Sequence, residues 1–235
     1  MSNLTIVTGG SSGIGAEIAR QADADGRGVV VVSRNPGPVG RHLPADLAEP
    51  EGWDLLSTEL ERLAAEAESM ELFHCAATIV PIGFAGEVDP GAYRTSVVLN
   101  SAATQVVGEA FVRALRSRKI PGTLVMITSG AARTPYPGWS SYCAGKAAMD
   151  MWTRTVGAEC AERGGPKVVA IAPGVVDTAM QSEIRATDVE DFPNLERHRS
   201  LHTDGDLADP REVARRIRAA IASLDNGAVV DLRNL

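Results

Sequence analysis

The 235-residue sequence is poor in cysteine: Cys75, Cys143 and Cys160 are too few and too scattered for a disulfide framework. None stands in a Cys-x-x-Cys spacing that would hold a metal, and no metal site is expected. Positive charge is also short, with 23 Lys and Arg against 30 Asp and Glu and a formal net charge of −7. No stretch concentrates the basic residues as a nucleic-acid footprint would, which argues against nucleic acid as a partner. Long apolar runs are missing: no window approaches the roughly 20 apolar residues of a membrane span. The N-terminus lacks the basic segment and apolar run of a secretory signal. These absences leave the expectation of a reduced, cytoplasmic protein. The length suits one domain over residues 1–235.

Short β-branched runs alternate with longer alanine-rich stretches, as in βα units folded around a parallel sheet, so the fold class is α/β. Strands are predicted at residues 4–8, 29–33, 72–75, 123–128 and 167–172, with a last strand at 227–231. Helices are predicted at 13–24, about 93–118 and 142–163, and Pro210 opens the last one. Residues 175–209 are polar and longer than an ordinary connection, and are read as either lid-like or flexible.

After the first strand comes Thr8-Gly9-Gly10-Ser11-Ser12-Gly13-Ile14-Gly15, leading into a helical pattern. Glycines at a strand-to-helix junction let backbone approach a pyrophosphate, and the helix start favours the anion. A dinucleotide fits there, against Gly9, Ser11, Ser12, Gly13, Ile14 and Gly15. The second strand ends Val32-Ser33-Arg34-Asn35, without the carboxylate that binds ribose hydroxyls. Ser33 and Arg34 stand there instead, and Arg34 can pair with a 2′-phosphate, which favours NADP(H) over NAD.

With only three tyrosines and three lysines in the chain, Tyr142 and Lys146 stand four apart at the start of a predicted helix, on one face. Thirteen residues earlier Ser129 follows an apolar strand, at the edge where open α/β sheets bind ligands. Reduction of a ketone needs a proton at oxygen. A tyrosine holds its proton at neutral pH, a nearby ammonium favours phenolate and eases the transfer, and a serine hydroxyl can orient the carbonyl. Asn100, a poor helix former inside the long helix, is the fourth candidate, with a water-holding role.

The three-residue gap between Gly9 and Gly13, followed by Gly15, resembles the T-G-x-x-x-G-x-G fingerprint of the short-chain dehydrogenase/reductase family. Asn100, Ser129, Tyr142 and Lys146 resemble its Asn-Ser-Tyr-Lys tetrad. The likeness extends to Asp46 and to Ala172-Pro173-Gly174-Val175-Val176-Asp177-Thr178, and so covers essentially the whole chain. It implies a single-domain Rossmann-type doubly wound parallel sheet of about seven strands. It also implies that Asp46 contacts adenine, with Leu47 and Ala76 lining the cofactor. Pro173, Gly174, the Val176 backbone and Thr178 would hold the nicotinamide end, beside Tyr142 and Lys146. One departure stands out: His74-Cys75-Ala76-Ala77 replaces the family's Asn-Asn-Ala-Gly, which the family associates with sheet stability and cofactor placement.

Within the family, the segment from Gly138 to Ala148 and Asp177-Thr178-Ala179-Met180-Gln181 resemble the sepiapterin-reductase-like branch, which includes bacterial benzil reductases. A ketone or 1,2-dicarbonyl substrate is implied. Trp139 and Met180 are expected at its pocket, with Asp231 at the position that anchors a pterin. The alternatives are a 3-oxoacyl-carrier-protein-type reductase, for which no basic docking patch is found, and a non-catalytic NADP-binding regulator. The resemblance also implies a homodimer or homotetramer built through the two long helices.

Overall fold

The computed structural model describes residues 2–235. In chain order the elements are β1 (Ser2–Thr8), α1 (Gly13–Ala24), β2 (Gly28–Ser33), β3 (Arg41–Pro44), α2 (Pro50–Ala64), β4 (Ala67–His74) and α3 (Pro90–Val97). A π-helical turn, Val98–Ala102, joins α3 to α4 (Ala103–Arg118). Then follow β5 (Gly122–Ile127), α5 (Ser140–Arg163), β6 (Lys167–Ala172), α6 (Ala179–Arg185), α7 (Leu195–Thr203), α8 (Pro210–Ala220) and β7 (Val229–Asp231).

The strands form one seven-stranded sheet in the order β3-β2-β1-β4-β5-β6-β7, and every pairing is parallel. Such a sheet is covered on both faces, and its side chains alternate between two cores. Ile6, Val30, Val32, Leu72, Leu124 and Met126 join Leu56, Leu60, Phe111 and Met149 on one side. Val7, Val29, Val31, Phe73, Val125 and Ile127 join Ile18, Val213 and Ile217 on the other. Because β2 and β4 flank β1 on opposite sides, the chain reverses direction there, and a crevice opens beyond the strand ends.

Two features differ from the sequence reading. Helix α2 was not anticipated, although Pro50 opens it and Leu56, Leu60 and Leu63 bury a stripe at helical spacing. The 175–209 segment, read as lid-like or flexible, holds secondary structure of its own. It carries α6 and α7, whose Ile184 and Leu195 pack with Phe192, Trp139 and Tyr142 into a third core cluster. The expected opening of the last helix at Pro210 is present, and Asp209 caps it by accepting from Arg211 N at 2.8 Å and Glu212 N at 3.0 Å.

Candidate active site

A cleft of about 840 Å³ runs along the carboxyl ends of the strands. Its cofactor half begins at the β1–α1 turn. Gly9 has φ +66°, and a Cβ there would stand 2.8 Å from Ala76 N; Gly13 has φ +52°, with Thr178 Cγ2 3.0 Å from its would-be Cβ. Backbone can lie this close to its surroundings only without side chains. Ser12 precedes α1 but makes no side-chain cap, and the first turn carries no acidic residue, so the helix start is left for an anion. Ser33, Arg34, Asp46, Leu47 and Ala76 line the same half of the wall. Arg34 is exposed and makes no ion pair among the described residues. Pro173, Gly174, Val176 and Thr178 line the far end of this half. A nicotinamide dinucleotide fits these residues on the cradle and the open helix start alone.

The departure at the end of β4 acquires a physical account. His74 is fully buried, with Nδ1 3.0 Å from Thr8 Oγ1 and Nε2 3.3 Å from Thr104 Oγ1. Thr104 donates to Asn100 O at 3.2 Å, so its oxygen is left to accept from Nε2–H, and Nδ1 accepts from Thr8. Thr8 Oγ1 in turn accepts from Ala76 N at 3.3 Å. One imidazole thereby ties β1 to α4 at the position where the sequence departs from the family motif. Burial, aided by the Lys146 charge, pushes His74 down to about 3, so the ring is neutral. Burial pushes the neighbouring Cys75 thiol up to about 12, which removes it as a nucleophile.

Ser129, Tyr142 and Lys146 meet in the cleft. Ser129 follows β5, and its Oγ accepts from Ala131 N at 3.1 Å. Tyr142 and Lys146 lie one turn apart on α5, 7% and 3% exposed. Lys146 Nζ donates to Ile127 O at 2.7 Å. Between them Gly145 lets α5 pack against the π turn, since a Cβ there would stand 2.6 Å from Asn100 Cβ. Burial pushes the Tyr142 phenol up to about 12, with the Ser129 hydroxyl pulling the other way. Burial therefore decides the direction for Tyr142, and the expected lowering by Lys146 is not among the causes that set it. Lys146 is brought down to about 8 by the same burial, opposed by Cys75 and Asp150.

Asn100, expected in a water-holding role, makes side-chain hydrogen bonds within the protein. It is fully buried inside the π turn and does not line the cleft. Its Oδ1 accepts from Thr78 N at 3.0 Å, and its Nδ2 donates to Thr78 O at 2.8 Å and to Ser96 Oγ at 3.1 Å. Both amide hydrogens are used, and the side chain clamps the 78 loop to the helix.

Trp139, Met180 and Asp231 line the substrate half. Trp139 stacks on Phe192 at 4.3 Å between centroids and meets the Tyr142 ring edge-on at 5.8 Å. Asp231 is not a free anchor: Arg233 Nε and Nη2 donate to its carboxylate at 2.9 and 2.6 Å, and this pairing holds it below the usual carboxylate range. Sequence reasoning missed Asp150, a buried carboxylate one turn beyond Lys146 that accepts from Thr128 Oγ1 at 2.5 Å. It also missed His198, whose neighbours lie on other elements. No helix among the described residues is long and apolar enough to cross a membrane.

Comparison with known proteins agrees with this geometry. Residues 3–189 match the family model described as short chain dehydrogenase. The chain is 33% identical over 238 residues to a benzil reductase ((S)-benzoin forming) of Bacillus subtilis, covering 98% of each chain. It is 34% identical over 116 residues to sepiapterin reductase of Rattus norvegicus, covering 48% of this chain and 42% of that one. It also resembles the crystal structure of an NAD(P)-dependent protein of the gluconate 5-dehydrogenase type from Beutenbergia cavernae, with NADP bound at low occupancy. That structure shares 27% identity at a TM-score of 0.77, over 98% of this chain and 94% of that one. The chain belongs to the short-chain dehydrogenase family of oxidoreductases, on its benzil- and sepiapterin-reductase-like branch.

Proposed function

We propose that this protein reduces a ketone, most readily one carbonyl of a 1,2-dicarbonyl compound, to the alcohol with NADPH. The observation that carries the reading is the convergence of Ser129, Tyr142 and Lys146 in the same cleft as the glycine cradle. When bound, NADPH supplies the hydride. Tyr142, held protonated by burial, donates its phenolic proton to the carbonyl oxygen. The Lys146 ammonium, 5.7 Å from the Tyr142 ring centroid, stabilises the phenolate left behind. Ser129 donates to the same oxygen and fixes it as charge develops there. Arg34 would take the 2′-phosphate, and the NADP-bound relative supports that cofactor. The full-length likeness to a benzil reductase supports the dicarbonyl class.

The direct test is NADPH consumption over 1,2-diketones, sepiapterin and simple ketones, with NADH alongside. Turnover of diketones that disappears in Tyr142→Phe is the expected result. An inert protein that still binds NADPH would instead favour a regulator. By the family resemblance the working form is a homodimer or homotetramer. Exposed Val106 on α4 and Met151 on α5 are apolar positions that such an interface would cover.

A further inference from the structure

Gln181 and His198 are buried polar residues that the chemistry above does not use. Gln181 stands in the first turn of α6, three residues beyond Thr178, and His198 is on α7; both line the substrate half of the cleft. They are 7% and 5% exposed, and His198 Nδ1 lies 3.1 Å from Gln181 Oε1. An amide oxygen only accepts, so the ring carries its proton on Nδ1. The ring is fixed in turn by the aromatic cluster, with its centroid 5.5 Å from Trp139 and 5.6 Å from Phe192.

In this pairing the amide oxygen faces His198. With Oε1 taken by His198, the Gln181 Nε2–H₂ group points the other way and donates to nothing among the described residues. Its burial differs from that of the other unpaired donor nearby. Trp139 Nε1 is sealed off without a partner, whereas Gln181 Nε2 is not sealed in this way although its residue is buried. A buried amide left unpaired at the wall of a ligand-sized cleft is a hydrogen-bond position for a ligand. Trp139 neighbours both this amide's partner and the acid, with its centroid 5.5 Å from His198 and 5.8 Å from Tyr142.

We propose that Gln181 Nε2 donates a hydrogen bond to the second carbonyl oxygen of a 1,2-dicarbonyl substrate, and that His198 is the positioning residue that aims it. The inference rests on the carbonyl-reductase reading and adds the group that separates dicarbonyl from mono-ketone substrates. The first carbonyl takes the Ser129 and Tyr142 hydroxyls, and the second takes the amide. Burial keeps His198 below its ordinary range, with Arg197 and Arg185 acting the same way, so the ring stays a neutral single donor toward Gln181.

The experiment compares kcat/KM for a diaryl 1,2-diketone with that for the matched ketone whose second carbonyl is a methylene. In Gln181→Met the diketone-to-ketone ratio falls by about 10- to 100-fold, the loss expected when the second carbonyl is buried without its hydrogen-bond donor. His198→Phe lowers the same ratio, mainly through KM of the diketone. His198→Asn, whose Nδ2 can replace Nδ1–H, restores it. A ratio unchanged in Gln181→Met, or an Asn variant no better than Phe, overturns the proposal. If the wild type reduces neither ketone, the reductase reading has failed. Quenching of tryptophan fluorescence by the diketone in the NADP⁺ complex then decides the inference alone: weaker binding in Gln181→Met upholds it, and equal binding overturns it.

Discussion

The Lys146 ammonium sits 5.7 Å from the centroid of the Tyr142 ring, held there by the Ile127 carbonyl at 2.7 Å rather than by any carboxylate. Two buried groups with opposite protonation tasks are thereby placed one helical turn apart. Replacing Tyr142 with Phe removes the proton donor and leaves the ring packing against Trp139. We expect kcat/KM for ketone reduction to fall by about 10²- to 10⁴-fold. The dissociation constant of NADPH, read by fluorescence titration, should stay close to that of the wild type. A comparable loss of NADPH affinity would make Tyr142 a structural residue.

The alkaline side of the pH profile reports Lys146. Its folded value of about 8 means that the ammonium is lost as pH rises through that point, and kcat/KM, which reflects free-enzyme groups, declines above it. Asp150 raises Lys146, so Asp150→Asn moves the decline to lower pH while keeping an oxygen for Thr128. A profile that does not move would show that the buried carboxylate is not felt at Lys146.

His74 links stability to acid. Its folded value of about 3 lies below the ordinary 6.5, so the folded state binds fewer protons between these values. Its contribution is full above about pH 6.5 and is lost as pH falls toward 3, at up to about 1.4 kcal/mol per pH unit. His74→Ala leaves the hydroxyls of Thr8 and Thr104 without their bridge, which costs about 1–3 kcal/mol at neutral pH. The gap to wild type narrows as the pH is lowered, measured by denaturant titration. A constant gap would mean that His74 does not titrate on unfolding.

Arg34 is expected to decide between the two nicotinamide cofactors. Arg34→Ala should weaken NADPH binding by about tenfold or more, the worth of a charge-assisted hydrogen bond, while NADH binding changes little. Equal effects on both would remove the 2′-phosphate from its role.

Gly9→Ala tests the cradle. The added methyl would meet Ala76 N at 2.8 Å in a backbone with φ +66°, costing about 1–3 kcal/mol of strain. A lower melting temperature together with loss of NADPH binding is expected. A variant that binds NADPH normally would show that the turn has room to spare.

What the sequence determined by itself is local. Glycines between a strand and a helix, and Tyr142 one turn before Lys146, are read directly because neighbours along the chain become neighbours in space at a fixed period. Alternating strands and helices gave the parallel sheet for the same reason. Even α2, with Leu56, Leu60 and Leu63 at helical spacing, carried its signal in the letters. The meeting of distant residues was decided only by the tertiary structure. Thr8 and His74 are 66 apart and share a hydrogen bond because β1 and β4 lie side by side, and Asn100 in the π turn meets Thr78, 22 residues before it, through the fold alone. Gln181 and His198 meet because α6 and α7 fold onto Trp139. Protonation belongs to the same class: the opposite shifts of Tyr142 and Lys146 come from burial, which a chain acquires only when its sheet and helices close around them.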